Sequence, residues 1–330
     1  MKAFAYVNAT NEKDALAALV PERGKAVPIA GGQDLLSLMK DYILTPERVV
    51  NVKGLPTTIA VPVGPSADYA VVGAATRLAD LAAHEAFRKA FPAIAQAAAE
   101  VGTPQIRNVG TVGGNLCQRP RCWYFRNEEF RCLKKGGARC FAVEGENQFH
   151  AIFGDAPCHI VHPSSLAVPL IAHEARIKVV GPSGEREVPA AEFFVMPDRK
   201  MYGENVLEPN ELVTEVRIPI RPGVKSATYE VRYKQSHDWP IAFATAALTM
   251  TGDTVRSSRI VMGAVAPVPW RAEAAEKALA GKRVTEAVAM GAADAAVAEA
   301  KPMSGNGYKV QVVRTAVTRA ILKAAGLLKA

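Results

Sequence analysis

Four cysteines, Cys122, Cys132, Cys140 and Cys158, fall within 37 residues of a 330-residue chain whose one remaining cysteine is Cys117. Thiols gathered this way point to a metal centre. Their spacing, C-x9-C-x7-C-x17-C, contains no close C-x(2–4)-C pair of the kind that structural zinc sites use. An iron–sulfur cluster is larger, accepts thiolates from dispersed loop positions, and needs apolar shielding with hydrogen-bond donors around it. Trp123, Tyr124, Phe125, Phe130 and Phe141 lie in the same stretch and would supply that shielding, although aromatics and free cysteines also serve as plain core. Cys117 is read as a small buried side chain outside the set. His159 and His162 flank Cys158 and would be alternative ligands; satisfied loop histidines are the simpler reading.

Two glycine-bearing segments precede the thiols. In Val27-Pro-Ile-Ala-Gly-Gly-Gln-Asp-Leu-Leu36 an apolar strand delivers the chain to Gly31-Gly32 and then to an amphipathic run, so backbone can approach a ligand while helical N–H groups face it. In Thr103-Pro-Gln-Ile-Arg-Asn-Val-Gly-Thr-Val-Gly-Gly-Asn115, Gly110, Gly113 and Gly114 open the backbone of a turn and Thr111 offers a hydroxyl. Two such loops from successive α/β units would clamp one diphosphate; unrelated tight turns are the alternative, and neither loop is the GxGxxG fingerprint.

The elements that would position these residues follow from periodicity. Residues 1–54 read as a small α/β unit: a strand near Phe4–Val7, a helix from Glu12 capped by Asn11, a strand at Ala26–Ala30, a helix at Leu35–Tyr42 and a strand at Val49–Val52. Gly54, Pro56, Pro62, Gly64 and Pro65 mark a boundary. A strand at Tyr69–Gly73, a helix over 78–84 behind the candidate cap Thr76, and an alanine-rich helix over 93–101 follow. Residues 117–158 lack periodicity and read as a long functional loop. Beyond it come a hairpin at 176–188, a strand at Glu215–Pro219, strands at 228–234, 242–250 and 258–265, and helices at 271–280, 285–298 and 309–325, an α+β unit with strands first.

The net charge of +8 is uneven: residues 101–140 carry eight basic side chains against two acidic ones. That excess suits a segment beside anionic cofactors, and no nucleic-acid-binding module accompanies it. No apolar run approaches a membrane span and the N-terminus lacks a secretory signal pattern, which implies cytoplasmic synthesis and argues against a disulfide framework. Neither a nucleophile elbow nor H-E-x-x-H is present, so hydrolase chemistry has no foothold.

Taken together, Ala30-Gly-Gly-Gln-Asp-Leu-Leu36, Gln105-Ile-Arg-Asn-Val-Gly-Thr-Val-Gly-Gly-Asn115 and Gly263-Ala-Val-Ala-Pro-Val-Pro-Trp-Arg271 resemble the FAD-binding medium subunits of the molybdenum hydroxylases. The resemblance spans essentially the whole chain. The cysteine stretch, beginning Gln118-Arg-Pro-Arg-Cys122, is similar to the inserted 4Fe-4S loop of the aldehyde oxidoreductase and 4-hydroxybenzoyl-CoA reductase flavin subunits. The resemblance implies an α+β fold: a two-part FAD-binding domain of the vanillyl-alcohol-oxidase-like type over 1–222 (parts about 1–54 and 55–222, with the iron–sulfur loop at 117–158), then a smaller C-terminal α+β domain of the carbon monoxide dehydrogenase flavoprotein type, with antiparallel sheet and helices, over 223–330. It implies FAD held by Ala30, Gly31, Gly32, Gln33, Asp34, Leu35, Leu36, Thr111, Gly113, Gly114 and Asn115, with Leu212 giving a backbone contact and Lys234 near the flavin ring. Where relatives often have Ser-Asp after the cluster loop, this chain has Ser164-Ser165, leaving Ser165 the hydrogen-bonding role of the missing acid. Cys122, Cys132, Cys140 and Cys158 would ligate the 4Fe-4S cluster.

The implied role is electron transfer inside a heteromeric oxidoreductase. A large partner would carry the molybdenum cofactor, a small partner the 2Fe-2S centres, and FAD here would pass electrons to an external acceptor. A reductively running 4-hydroxybenzoyl-CoA-reductase-like complex is the alternative, and export folded beside a signal-bearing partner would place the chain in the periplasm. A self-contained alcohol oxidase of the vanillyl-alcohol type would need a larger C-terminal substrate domain than the roughly 110 residues left. A zinc-stabilised interaction scaffold is the rival of another class.

Overall fold

The computed structural model describes residues 1–64, 67–234 and 237–328. Gln235 and Ser236 of the Lys234 motif, and Pro65 of the expected boundary, lie outside the described residues. Among the described residues three sheets organise the chain, each with its own helical cover.

The first is parallel, with Arg48–Asn51 between Ala5–Asn8 and Ala26–Ile29. Its crossovers carry the helices Glu12–Ala18 and Leu35–Lys40. Asn11 caps the former, its side-chain oxygen accepting from the Asp14 N–H at 2.9 Å. Ala15, Leu19, Val50 and Val52 form the core of this unit, which continues onto Val180 and Leu212 of the next sheet.

The second sheet is antiparallel, in the order Ile59–Ala60, Tyr69–Gly73, Leu212–Pro219, Arg176–Gly181 and Gly184–Pro189. Its helices Leu78–Ala83, Glu85–Ala90 and Pro92–Glu100 bury Leu78, Leu81, Phe87 and Ile94 in the largest core cluster. Arg77, not Thr76, stands at the N-cap of Leu78–Ala83; the Thr76 hydroxyl donates instead to the Thr58 carbonyl at 3.3 Å. Periodicity missed the helices Glu85–Ala90, Pro104–Val109, Val112–Leu116, Trp123–Arg126 and Ala167–Ala172, each too short to show a helical repeat.

The third sheet runs Trp270–Arg271, Thr254–Gly263, Pro240–Thr251, Val224–Arg232, all antiparallel. Pro240–Thr251 reads as an almost unbroken apolar run because both of its faces are covered. Ala242, Ala244, Ala246 and Leu248 face the helices Glu273–Leu279, Glu286–Val297 and Tyr308–Ala324, while Phe243 and Ala247 join the large core of the second sheet. The alanine-rich helices thus lie on one side of this sheet, and its other side is bonded to the rest of the chain. Among the described residues no helix is long and apolar enough to cross a membrane.

Candidate functional site

The two glycine segments meet. A Cβ on Gly31 would stand 2.2 Å from the Val109 carbonyl oxygen and 2.9 Å from the Gly110 nitrogen, so glycine is required there by the second segment's backbone. Gly32 has φ +71° and turns the chain into the Leu35–Lys40 helix, with the Leu36 N–H donating to the Gly32 carbonyl at 3.1 Å. Gln33 donates through Nε2 to the Gly31 carbonyl at 3.3 Å, and Leu36 stays 39% exposed beside the turn.

The second segment is more regular than its glycines suggested: Val112–Leu116 is a short helix, not an open turn. Thr111 caps it, its hydroxyl accepting from the Gly114 N–H at 3.2 Å. Gly113 is fixed by close packing, since a Cβ would lie 3.0 Å from the Ala74 Cβ and 3.2 Å from its carbonyl. A Cβ on Gly114 would approach only the Thr111 hydroxyl, at 3.0 Å, so nothing else in the chain demands a glycine at that point. Asn115 is buried with its side-chain oxygen accepting from the Ser164 hydroxyl at 2.7 Å and the Leu166 N–H at 3.3 Å, and buried Ser165 lies between those partners. Leu212 is buried on the second sheet opposite Val180. Lys234 is exposed, its N–H donating to Asp238 at 3.3 Å; His237 contacts the carbonyl of Gly102, just ahead of the second segment, at 3.3 Å.

Asp34 looks the other way. Its carboxylate accepts from the Arg119 N–H at 2.7 Å, Arg121 Nη1 at 2.6 Å and Arg126 Nη2 at 2.5 Å. Arg119 and the fully buried Lys134 both pair with buried Glu204. Part of the basic excess of residues 101–140, expected to face cofactors, is therefore taken up by protein carboxylates that anchor the cysteine stretch, Asp34 and Glu204 offsetting two of the four charges on Arg119, Arg121, Arg126 and Lys134. Arg107 likewise turns inward, donating to the Val101 and Gly102 carbonyls.

All four clustered cysteines line one small pocket, together with Tyr124, Phe125, Leu133, Lys134, Phe141, His150 and Ile160. Leu38, from the helix that follows Gly31-Gly32, packs with Phe125 and Cys132, and Cys122 and Phe141 border the same cluster. The wall of the thiol pocket is thus also the support of the first glycine segment. Trp123 and Phe130 stack edge-on against Tyr124 at 6.1 and 5.1 Å and form an outer aromatic layer. Among the described residues no three His, Cys, Asp or Glu side chains stand at the spacing of a single-ion site; the thiols ring a pocket instead.

Burial and the thiol–thiol hydrogen bond set the titration of Cys122, Cys140 and Cys158, with burial first for Cys122 and the bond first for the other two. Burial pushes Cys122 up to about 11, against hydrogen bonds from the Phe125 and Tyr124 backbone. Cys140, bonded by the Cys158 thiol, is drawn down to about 5, and Cys158 is raised because it gives that bond. Cys117 stands apart against the main core, and burial pushes it up to about 12.

The histidines divide differently from the sequence reading. His162 is buried away from the thiols, with Nδ1 accepting from the Ser164 N–H at 3.3 Å and its ring 4.6 Å from that of Phe194. His159 lies beside Cys158, and its carbonyl accepts from the Ala151 N–H. His150, which the sequence reading passed over, places Nε2 3.3 Å from Cys122 Sγ. Its signal was available: it is the one histidine inside the 117–158 stretch ahead of Cys158.

The family model for the FAD binding domain in molybdopterin dehydrogenase matches residues 2–221. The chain belongs to that family of flavoprotein oxidoreductase subunits. A second model, the CO dehydrogenase flavoprotein C-terminal domain, matches residues 227–324. The chain is 34% identical over 330 residues to the aldehyde oxidoreductase FAD-binding subunit PaoB of Escherichia coli (strain K12), covering 98% of this chain and 99% of that one. It is 28% identical to the carbon monoxide dehydrogenase medium chain of Hydrogenophaga pseudoflava, covering 96% of each. The solved carbon monoxide dehydrogenase of that organism, in a form that lacks the Mo-pyranopterin moiety, superposes with a TM-score of 0.76 over 99% of both chains. As a molybdenum-hydroxylase medium subunit, the chain is an FAD-binding protein with a mixed helix-and-sheet fold and an antiparallel C-terminal sheet.

Proposed function

We propose that the chain is the electron-transfer subunit of a heteromeric molybdenum hydroxylase that oxidises an aldehyde or an aromatic or heterocyclic substrate, and that it carries a 4Fe-4S cluster beside its FAD. Residues 1–222 would bind both groups and 223–330 would support them, with a large molybdenum-cofactor subunit and a small 2Fe-2S subunit as partners. The observation that carries this reading is the convergence of Cys122, Cys132, Cys140 and Cys158 on one pocket whose wall also supports the Gly31-Gly32 segment.

The donor set fits a cluster. Four thiols gathered in one partly enclosed pocket can all be ionised only if a cationic metal core offsets their charge, and apart from Lys134 and His150 the rest of the lining is apolar or aromatic. When bound, FAD exchanges electrons in pairs or singly and the cluster exchanges them singly, which suits relaying between partners. The residues of this chain bind and shield. Gly32 and Gly114 leave backbone open to the flavin diphosphate, Thr111 and Asn115 hold the second segment in place, and Ser165 sits beside Asn115 where a ribityl contact is expected. Asp34, although part of the first segment, serves the cluster side by binding Arg121 and Arg126 on either side of Cys122.

The similarity to an aldehyde oxidoreductase subunit at 34% identity favours oxidation of an aldehyde over reductive dearomatisation in a 4-hydroxybenzoyl-CoA-reductase-like complex. The test is anaerobic purification with co-expressed partners and of the chain alone, followed by iron, zinc and flavin analysis. About four irons and one flavin per chain are expected. Flavin without iron would reduce the cysteine stretch to a structural element, and zinc without flavin would favour an interaction scaffold.

A further inference from the structure

We infer that His150 donates a hydrogen bond from Nε2 to the Cys122 thiolate and thereby raises the reduction potential of the cluster; this rests on the iron–sulfur reading above. Nε2 stands 3.3 Å from Cys122 Sγ, and the residue is 4% exposed. Its ring is wedged edge-on against Trp123, at 5.5 Å, with Tyr124 at 6.1 Å. The other ring nitrogen, Nδ1, is buried and has no partner among the described residues. A buried N–H without an acceptor is the costlier orphan, so the proton belongs on Nε2, where sulfur receives it, and Nδ1 is left as a bare lone pair.

The position of the ring is imposed by the backbone. The His150 N–H donates to the Asn147 carbonyl at 2.9 Å. Its own carbonyl accepts from Lys309 Nζ at 3.0 Å and Asn306 Nδ2 at 3.2 Å, both from side chains buried in the C-terminal part of the chain. Lys309 also donates to the Phe149 and Ala264 carbonyls, at 3.2 and 2.7 Å, and Asn306 to the Ala151 carbonyl at 3.2 Å. These bonds fix the backbone of residues 149–151 at the start of the Tyr308–Ala324 helix, and the Trp123 and Tyr124 rings pack against the imidazole with Nε2 toward sulfur. The C-terminal part therefore acts on the thiol pocket through a histidine it does not itself contain.

A donor to a ligating sulfur stabilises the extra negative charge of the reduced cluster more than the oxidised form, which moves the potential upward. His150 is a positioning and tuning residue, not a ligand. The holoprotein is titrated electrochemically with the cluster followed by electron paramagnetic resonance, in the parent, His150→Phe and His150→Gln forms. Iron per chain is expected to be unchanged, the midpoint to move negative in His150→Phe, and His150→Gln, which keeps a donor, to return toward the parent value. In parent protein labelled with 15N-histidine, pulsed resonance of the reduced cluster should show one weakly coupled imidazole nitrogen. Equal midpoints in parent and His150→Phe overturn the inference, as does absence of the nitrogen coupling, a result readable even if the Phe form does not load iron. A strong coupling, meaning direct ligation, overturns it too. A parent protein without iron would instead overturn the cluster reading itself.

Discussion

Replacing Asp34 by asparagine separates two jobs that the sequence reading assigns together to the first glycine segment. The substitution keeps size and one acceptor, removes the charge, and leaves Arg121 and Arg126 facing each other with side chains only 28% and 14% exposed. Exposed ion pairs contribute about 0–1 kcal/mol each, whereas removing one partner of a buried pair costs about 3–5 kcal/mol. Two mostly buried pairs plus the bond from the Arg119 N–H place the expected loss between these limits, at about 2–4 kcal/mol. A chain of this size loses roughly 2 °C of melting temperature per kcal/mol, so the melt should fall by about 4–8 °C. Because the bonds anchor the residues on both sides of Cys122, iron per chain should fall further than flavin per chain. Scanning calorimetry with parallel iron and flavin analysis reads both effects. Combining Asp34→Asn with Arg126→Gln should recover part of the loss, with a coupling of about 1–2 kcal/mol. A melt within a degree of the parent with iron retained, or flavin lost while iron stays, would refute the assignment of this carboxylate to the cluster side.

The glycines make a paired test. Gly31→Ala drives a methyl into the Val109 carbonyl and should cost about 1–3 kcal/mol together with flavin content. Gly114→Ala meets only the Thr111 hydroxyl within a short helix, so flavin content should fall with stability nearly unchanged if that face approaches the cofactor. Cys117→Ser should retain iron, while serine at Cys122, Cys132, Cys140 or Cys158 should reduce it; equal retention in all five variants, measured by metal analysis, would contradict the pocket assignment. Burial pushes Glu230 up to about 7 despite Arg232, which is itself shared with Glu100. A carboxyl whose folded value exceeds its unfolded one binds its proton more tightly when folded, so its contribution is full below about 4.5 and declines as pH rises toward 7. Glu230→Gln should flatten that decline in urea-unfolding curves taken from pH 4.5 to 8, and an unaltered slope would show that Arg232 keeps the carboxylate ionised throughout.

What the sequence disclosed, and what it hid, follows from the range of the interactions. The strands and long helices were legible because their burial repeats locally: Glu286–Val297 and Tyr308–Ala324 were placed within two residues from alanine and valine spacing alone. The helix Val112–Leu116 was hidden because its glycines read as turn formers, whereas one of them, Gly113, is there for contact with Ala74. Clustering of cysteines along the chain suggested a shared site, but not that Leu38, a residue 84 positions before Cys122, would pack behind its wall on Phe125 and Cys132.

The same limit applies to charge. A run of arginines and lysines in sequence has no visible partner, so its simplest interpretation is attraction to an external anion. In the folded chain Asp34 and Glu204, contributed from opposite sides of the stretch, pair with Arg119, Arg121, Arg126 and Lys134, two carboxylates offsetting two of the four positive charges. A loop rich in glycine and poor in apolar periodicity cannot hold four thiols around a pocket by burial alone; it needs directional bonds at fixed points. The buried ion pairs supply those points from the flavin-binding part, and Asn306 and Lys309 supply them from the C-terminal part. Without either set of bonds, the four thiols and His150 would remain neighbours in sequence and cease to be neighbours in space.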